Sequence, residues 1–227
     1  GGGGDAGGAR VVRSLPGLTR RGGSLVGWRQ TTCVRMLADY SIAQAGDIRV
    51  PRAVAGSAGA EASRTAFTAA VVYLLVYAAM NLGAFAIVIA VARKTKSGEI
   101  SSYGGLYEYA PGLAVLMTIF LFSLAGIPPL AGLWAKLFVF RAVIDAGTPW
   151  ALLLGVAVAV NSVIALFYYA AIAKEMWMNP VPDGHKTRIQ VPAPLVTALA
   201  ITAAVVIIVG VYPQTFANFG DLASLVP

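Results

Sequence analysis

The sequence predicts an all-α membrane protein with four transmembrane helices, the second of them broken, preceded by an irregular N-terminal segment. Two observations predict this class. Hydrophobic residues make up 58% of the 227 residues and charged residues 12%, which is about half the charged share of an average soluble domain. The apolar residues also form four long runs, and each is long enough to cross a hydrocarbon core of about 30 Å as a helix. These runs cover about 67–92, 111–144, 150–173 and 194–212.

Residues 1–64 form a separate segment of low complexity. It begins GGGGDAGGAR and holds nine Arg and four acidic residues, a net charge of +5. Its apolar stretches are too short and too interrupted to span a bilayer, and its composition is typical of disordered chain. We therefore expect a disordered or aberrant segment over 1–64 and a transmembrane helical domain over 65–227.

The apolar runs predict helices rather than barrel strands, because they lack the in–out alternation of a strand in a membrane barrel. Basic residues concentrate in the loops at 93–110 and 174–193, three in each, whereas the segment at 141–149 has one. The positive-inside rule then places the first two loops in the cytoplasm and the C-terminus outside. Because these bases lie between apolar runs, they form no basic face for nucleic acid.

The second run is too long for one straight helix, since about 30 residues would extend about 45 Å. Pro128 and Pro129 remove two backbone donors near its middle and disfavour helix before them. We expect two half-helices, at about 112–126 and 130–144; a proline kink in one continuous helix is the alternative. A break at membrane depth exposes backbone partial charges and is tolerated only where it lines protein or water. Gly126 and Gly132, with the two prolines, are the expected hinge.

Lys136 is the strongest candidate for chemistry, because no other ionised side chain lies well inside an apolar run. A lysine at the centre of a membrane helix costs about 2.5–3.5 kcal/mol on insertion scales. If its surroundings vary between those that favour the amine and those that favour the ammonium, it can take up and release a proton. The alternative is that Lys136 lies near a helix end and extends to the lipid headgroups.

The other polar residues within the runs are weaker candidates. Ser123, Asn81 and Asn161 could line a polar path, or they could make interhelical hydrogen bonds, which contribute only about 0.6 kcal/mol each on average. The chain has one cysteine and one histidine, Cys33 and His185. A disulfide framework, a zinc cluster and a Cys–His nucleophile pair with an orienting partner therefore have almost nothing to build from, and we predict no metal or cofactor site.

Three stretches resemble subunit N of the proton-pumping NADH–quinone oxidoreductase, respiratory complex I. They are YLLVYAAMNLGAFAIVIA at 73–90, SLAGIPPLAGLWAKLFVF at 123–140 and NSVIALFYYA at 161–170. The second stretch is the most specific, and it is shared more loosely with the other antiporter-like subunits and with multisubunit cation/proton antiporters. The resemblance covers about residues 65–227. RMLADYSIAQAG at 35–46 is similar to a further family motif, but a charged, Gly-rich sequence follows it in place of a helix.

The resemblance implies a C-terminal part of a membrane-arm subunit, with four of the fourteen helices typical of that family. Lys136 would then be a proton relay, and the chain would be a non-redox subunit of a proton-translocating enzyme in the cell membrane. NADH, FMN, the iron–sulfur clusters and quinone would be bound by other subunits. The expected partners are the other membrane-arm subunits and the lipid bilayer.

Two other functions stay open at the level of sequence. The first is a subunit of a multisubunit cation/proton antiporter, which would share the same helices. The second is an inactive structural membrane fragment.

Overall fold

The computed structural model describes residues 32–38, 60–145, 147–182, 184 and 186–214. Over these ranges the structure is helical, with only an isolated bridge between Thr32 and Glu99 in addition, so the predicted all-helical class is confirmed. The helices are α1 at 33–38, α2 (Ala60–Thr95), α3 (Leu106–Tyr109), α4 (Pro111–Ala125), α5 (Ala131–Asp145), α6 (Pro149–Met178) and α7 (Ala193–Val211). A 3-10 turn at Ile100–Tyr103 precedes α3.

Three of these helices are long and apolar enough to cross a membrane. They are Phe67–Thr95 within α2, Ala151–Met178 within α6, and α7. The predicted second span is instead two helices of 15 residues each, α4 and α5, and each is about 22 Å long. The helix ends at Ala125 and starts again at Ala131, so the apolar run is broken rather than kinked.

Proline sets several of the helix starts. Pro111 and Pro149 are the first residues of α4 and α6, a position where the missing N–H leaves no helical hydrogen bond unmade. Pro194 is the second residue of α7. In the centre of the assembly α2 packs against α4, α5 and α7, while α6 packs against α4 and α5.

The contact between α2 and α4 depends on a glycine. A Cβ on Gly83 would lie 2.3 Å from the ring of Phe120, and the Phe120 side chain is fully buried. Gly83 therefore allows the two helices to approach closely, as expected for small residues at membrane-helix interfaces. By contrast, α6 and α7 present large exposed apolar side chains, which include Leu153, Val163, Phe167, Ile201 and Ile208.

Part of the N-terminal segment differs from the prediction. Residues 33–38 form α1, and the side chains of Cys33, Met36 and Leu37 are buried. The Cys33 N–H donates to the Gly98 carbonyl at 2.8 Å, which fastens α1 beside the loop after α2. The prediction of disorder over 1–64 is wrong for residues 33–38 and for residues 60–64 at the start of α2, because these residues are helical. Its remainder lies outside the described residues.

Candidate functional site: the α4–α5 break and Lys136

The C-terminal end of α4 is closed by a glycine in the left-handed conformation. Gly126 has φ +93°, and its N–H donates to the Ser123 carbonyl at 2.9 Å, while the Ile127 N–H donates to the Phe122 carbonyl at 3.0 Å. This pair of bonds is the Schellman motif, which uses two of the last four carbonyls of a helix. The carbonyls of Leu124 and Ala125 are left for another donor.

Lys136 supplies that donor. Its side chain is only 6% exposed, and its Nζ donates to the Leu124 carbonyl at 3.1 Å and to the Ala125 carbonyl at 2.6 Å. The last four carbonyls of α4 are therefore all hydrogen-bonded. The contact also places the amine at the negative end of the α4 dipole, where a cation is stabilised.

Gly126 leaves the space in which the lysine side chain lies. A Cβ at this position would be 3.0 Å from Lys136 Cδ and 3.3 Å from Lys136 Nζ. The glycine thus has two functions at the break: it adopts the positive φ of the helix cap, and it allows the amine to reach the carbonyls.

The geometry permits proton exchange at Lys136 without loss of the cap. An ammonium has three N–H donors and a neutral amine has two. Two donors are enough for the carbonyls of Leu124 and Ala125, so both bonds can persist in either protonation state. Loss of the proton removes the attraction between the charge and the helix dipole, and the junction between α4 and α5 becomes weaker.

The start of α5 is held against the end of α4 by a second set of contacts. The Gly132 N–H donates to Ser123 Oγ at 3.1 Å, and this hydroxyl donates to Met80 Sδ at 2.8 Å. A Cβ on Gly132 would lie 1.7 Å from the Ser123 carbonyl oxygen. Ser123 is fully buried, so the two half-helices and α2 meet at one polar point.

Helix α7 packs directly on the break. The Trp134 Nε1–H donates to the Gly210 carbonyl at 2.8 Å. A Cβ on Gly210 would lie 2.1 Å from the Pro129 carbonyl oxygen and 2.8 Å from Leu130 Cα. The non-helical backbone between α4 and α5 is therefore covered by protein on this side.

The sequence and the fold are both similar to those of known proteins. The sequence profile described as NADH:quinone oxidoreductase/Mrp antiporter, TM matches residues 14–164, which is more than half of the chain. The chain belongs to this family. The match begins at residue 14, so family sequence extends further toward the N-terminus than the 65–227 range in which the motifs were found.

The relatives of this NADH:quinone oxidoreductase/Mrp antiporter family member include several proteins named subunit N. The chain is 36% identical over 214 residues to NADH-quinone oxidoreductase subunit N of Heliobacterium modesticaldum, which covers 94% of this chain and 43% of that protein. It is 36% identical over 218 residues to F(420)H(2) dehydrogenase subunit N of Methanosarcina mazei, covering 92% and 42%. The resemblance to subunit N is therefore confirmed.

A solved structure has the same fold. The chain superposes on a chain of respiratory complex I from Thermus thermophilus, solved with bound aureothin, with a TM-score of 0.72 and 25% identity; the match covers 92% of this chain and 45% of that one. The chain thus spans less than half the length of the relatives it matches. Family membership and the three long apolar helices together make it a membrane protein.

The structure brings some of the predicted site residues together. Lys136, Gly126, Ser123 and Gly132 all lie at the junction between α4 and α5. Pro128 and Pro129 lie in the connection itself and are exposed.

Two predicted residues lie on other helices. Asn161 is on α6 with 6% of its surface exposed, and Asn81 is half-buried on α2. Their part in a polar path stays a prediction.

Sequence reasoning did not find the partners of these residues. The acceptors of Lys136 are main-chain carbonyls, which carry no sequence signal, and Met80 and Gly210 read as ordinary residues of apolar helices. One sequence pattern could have indicated the contact between Lys136 and α4. In this pattern an apolar helix ends at a glycine, Gly126, and a lysine follows in the second turn of the next helix. Since Cβ atoms point toward the N-terminus of a helix, such a lysine extends back toward the break.

Proposed function

We propose that this chain is part of a proton-translocating membrane-arm subunit of an NADH–quinone oxidoreductase, and that Lys136 carries the proton. The observation that supports this most directly is the buried Nζ of Lys136, bonded to the carbonyls of Leu124 and Ala125 at the end of α4. A lysine that extended to the headgroups would be exposed at its tip, whereas Lys136 is 6% exposed. The amine is thus kept where water can reach it only through the protein.

The break is the expected moving part. Gly126, Pro128, Pro129 and Gly132 would form a hinge whose two sides are held together by Lys136. Charging the amine strengthens its attraction to the end of α4 and discharging it weakens that attraction, so proton occupancy and the geometry of the hinge would be linked. Ser123, Asn81 and Asn161 would complete a polar path for water.

In the proposed topology α4 and α5 cross the membrane together and form the second of the four spans. Their combined 30 residues are sufficient for about 30 Å of hydrocarbon even with a break between them. The loops before α3 and after α6 would be cytoplasmic, because they carry most of the bases of this region, and the C-terminus would lie outside. The membrane would be the plasma membrane of the cell.

The relatives support a subunit of a redox complex. Those named subunit N occur in complexes named for two electron donors, NADH in Heliobacterium modesticaldum and F(420)H(2) in Methanosarcina mazei. A subunit that serves both does not itself need to bind the donor. We therefore assign NADH, FMN, the iron–sulfur clusters and quinone to other subunits, and the neighbouring membrane-arm subunits are the proposed partners.

The test measures proton pumping and electron transfer separately in inverted membrane vesicles that contain the complex with this chain. We expect Lys136→Met to lower the protons pumped per NADH oxidised at least twofold. Lys174→Met, at an exposed lysine near the end of α6, is the matched control and should leave the ratio unchanged.

Lys136→Arg separates the proton relay from the helix cap. Arginine can donate to both carbonyls but does not release its proton at physiological pH. We expect this variant to assemble and to oxidise NADH while pumping stays low. Normal pumping by Lys136→Arg would show that the cap alone is required and would refute the relay.

A second candidate function is a subunit of a multisubunit cation/proton antiporter, because the family profile itself includes Mrp antiporters. In that case the chain would co-purify with other antiporter subunits, and vesicles would exchange sodium for protons without NADH. An inactive structural fragment would give unchanged pumping in all three lysine variants.

A further inference from the structure

A cleft whose lining does not include Lys136 opens between the first two turns of α4 and of α7. Its volume is about 630 Å³. The walls are formed by Leu116 of α4 and by Val196 and Leu199 of α7, and the segment before α7 closes one side with Arg188. The cleft is therefore apolar along its length and basic at one end.

The charge at this end is set by four side chains. Glu108 lines the cleft, but its carboxylate forms an ion pair with Lys186, so its negative charge is offset. Arg188 also lines the cleft, and it has no ion pair within the part of the chain that the structure describes. The fourth is Lys94, whose Nζ lies over the ring of Tyr109 in the same wall. This end of the cleft therefore carries an excess of positive charge, and the Arg188 guanidinium can bind an oxyanion in bidentate fashion.

The basic wall is held in place by contacts to the bundle. Lys94 at the end of α2 donates from Nζ to the Thr187 carbonyl at 2.6 Å, and its Nζ lies 3.4 Å from the centre of the Tyr109 ring. With the Lys186–Glu108 pair, this fastens the two residues just before Arg188. The arginine is thus presented at the cleft by an anchored segment.

The position of the cleft matches the boundary of a bilayer. Arg188 and Glu108 lie a few residues before the apolar helices α7 and α4 begin, which in the proposed topology is the depth where a membrane changes from headgroups to hydrocarbon. A ligand that fits both ends has an oxyanion beside Arg188 and apolar chains along Leu116, Val196 and Leu199. Basic clefts between membrane helices bind anionic headgroups for the same reason.

We propose that this cleft is a binding site for one anionic phospholipid, with its phosphate on Arg188 and its acyl chains between α4 and α7. An apolar peptide segment would fill the walls but would offer no anion to Arg188, which is exposed at the basic end of the cleft. A zwitterionic lipid would bring a cation beside Arg188 and Lys186. The excess of positive charge therefore favours an acidic headgroup.

The experiment counts lipids that stay bound to the full chain. The chain is placed in nanodiscs of equal phosphatidylglycerol and phosphatidylcholine, transferred to detergent, and examined by native mass spectrometry. We expect the wild type to retain phosphatidylglycerol preferentially. Arg188→Gln should reduce this preference about fivefold, the effect of one basic residue near an anionic headgroup.

Two further variants make the result decisive. Lys174→Gln removes an exposed base from the end of α6, outside the cleft, and should keep the preference. Ala200→Trp fills the cleft from an exposed position on α7 and should reduce retention of both lipids, even if Arg188→Gln fails to fold. Equal loss in Lys174→Gln would indicate diffuse attraction to the surface and would overturn the proposal. So would unchanged retention in Ala200→Trp, or equal retention of the two lipids by the wild type.

Discussion

Replacing Gly132 by alanine tests the junction between α4 and α5 most directly. The new Cβ would lie 1.7 Å from the Ser123 carbonyl oxygen and 2.7 Å from the Ser123 carbonyl carbon. These atoms belong to the backbone of α4, so they cannot turn away as a flexible side chain would. The half-helices must separate by more than an ångström, and the bond from the Gly132 N–H to Ser123 Oγ must lengthen or break.

The expected cost can be estimated from three effects. Overpacking of a close contact costs about 1–3 kcal/mol, and loss of a buried hydrogen bond costs about 1 kcal/mol. The better helix propensity of alanine offsets about 1 kcal/mol. We expect Gly132→Ala to lower the free energy of unfolding by about 2 kcal/mol, which corresponds to a Tm about 4–8 °C lower for a protein of this size.

Gly112→Ala is the matched control, since Gly112 is likewise the second residue of its helix. A Cβ at Gly112 would meet nothing within 4 Å, so only the propensity gain of up to about 1 kcal/mol applies. The measurement is the thermal loss of helical circular dichroism of the chain in detergent. If Gly132→Ala melts at the wild-type temperature or above it, as Gly112→Ala should, the close approach of α5 to Ser123 is wrong.

Three further predictions follow from other contacts. Trp134→Phe removes the bond to the Gly210 carbonyl, which should cost about 1 kcal/mol and lower the Tm by about 2–4 °C in the same assay. Burial raises the pKa of Cys33 from 9.0 to about 11, so at pH 8 the thiolate is about 100-fold scarcer than in the unfolded chain. Because the thiolate is the reactive form, iodoacetamide should label Cys33 at least about 100-fold more slowly in the folded chain than after denaturation. Glu108 raises the pKa of Lys186 above its ordinary value of 10.5, so their ion pair is fully present below pH 10.5 and is lost as the pH rises through the raised value. Subtilisin should therefore cleave the segment before α7 faster in strong alkali than at pH 8. Lys186→Gln lacks the ion pair at every pH, so it should be cleaved at the faster rate already at pH 8. Equal cleavage rates for the variant and the wild type at pH 8 would contradict this prediction.

Local chemistry allowed the break to be predicted from sequence. Two successive prolines remove donors whatever surrounds them, and Gly126 adopts the left-handed cap that its missing Cβ permits. The long apolar runs likewise indicated helices through length and composition alone. These features depend on residues that are neighbours in the chain, and α4 and α5 begin and end within one residue of the expected bounds.

Packing could not be predicted in the same way. The membrane helices are apolar on all faces, so hydrophobic periodicity does not indicate which side meets a neighbour. Trp177 shows the consequence. Its Nε1–H donates to Thr118 Oγ1 at 2.9 Å and its ring stacks on Tyr107 with centroids 5.8 Å apart, and neither partner is indicated by the sequence around it. The short helix α1 could not be anticipated either, because its six residues are ordered by burial of Cys33, Met36 and Leu37 against other elements.

The position of Lys136 within α5 explains why it caps α4 instead of extending to a membrane surface. It is the sixth residue of its helix, so its Cα lies about 7.5 Å from the helix start along the axis. Side chains tilt toward the N-terminus, and an extended lysine covers most of that distance, whereas a lysine one or two turns later would not reach. The two carbonyls nearest to its tip, those of Leu124 and Ala125, are the ones that the Schellman motif does not use. The distance from the break therefore determines what the amine binds, and a functional role for Lys136 depends on its place in the second turn as much as on its charge.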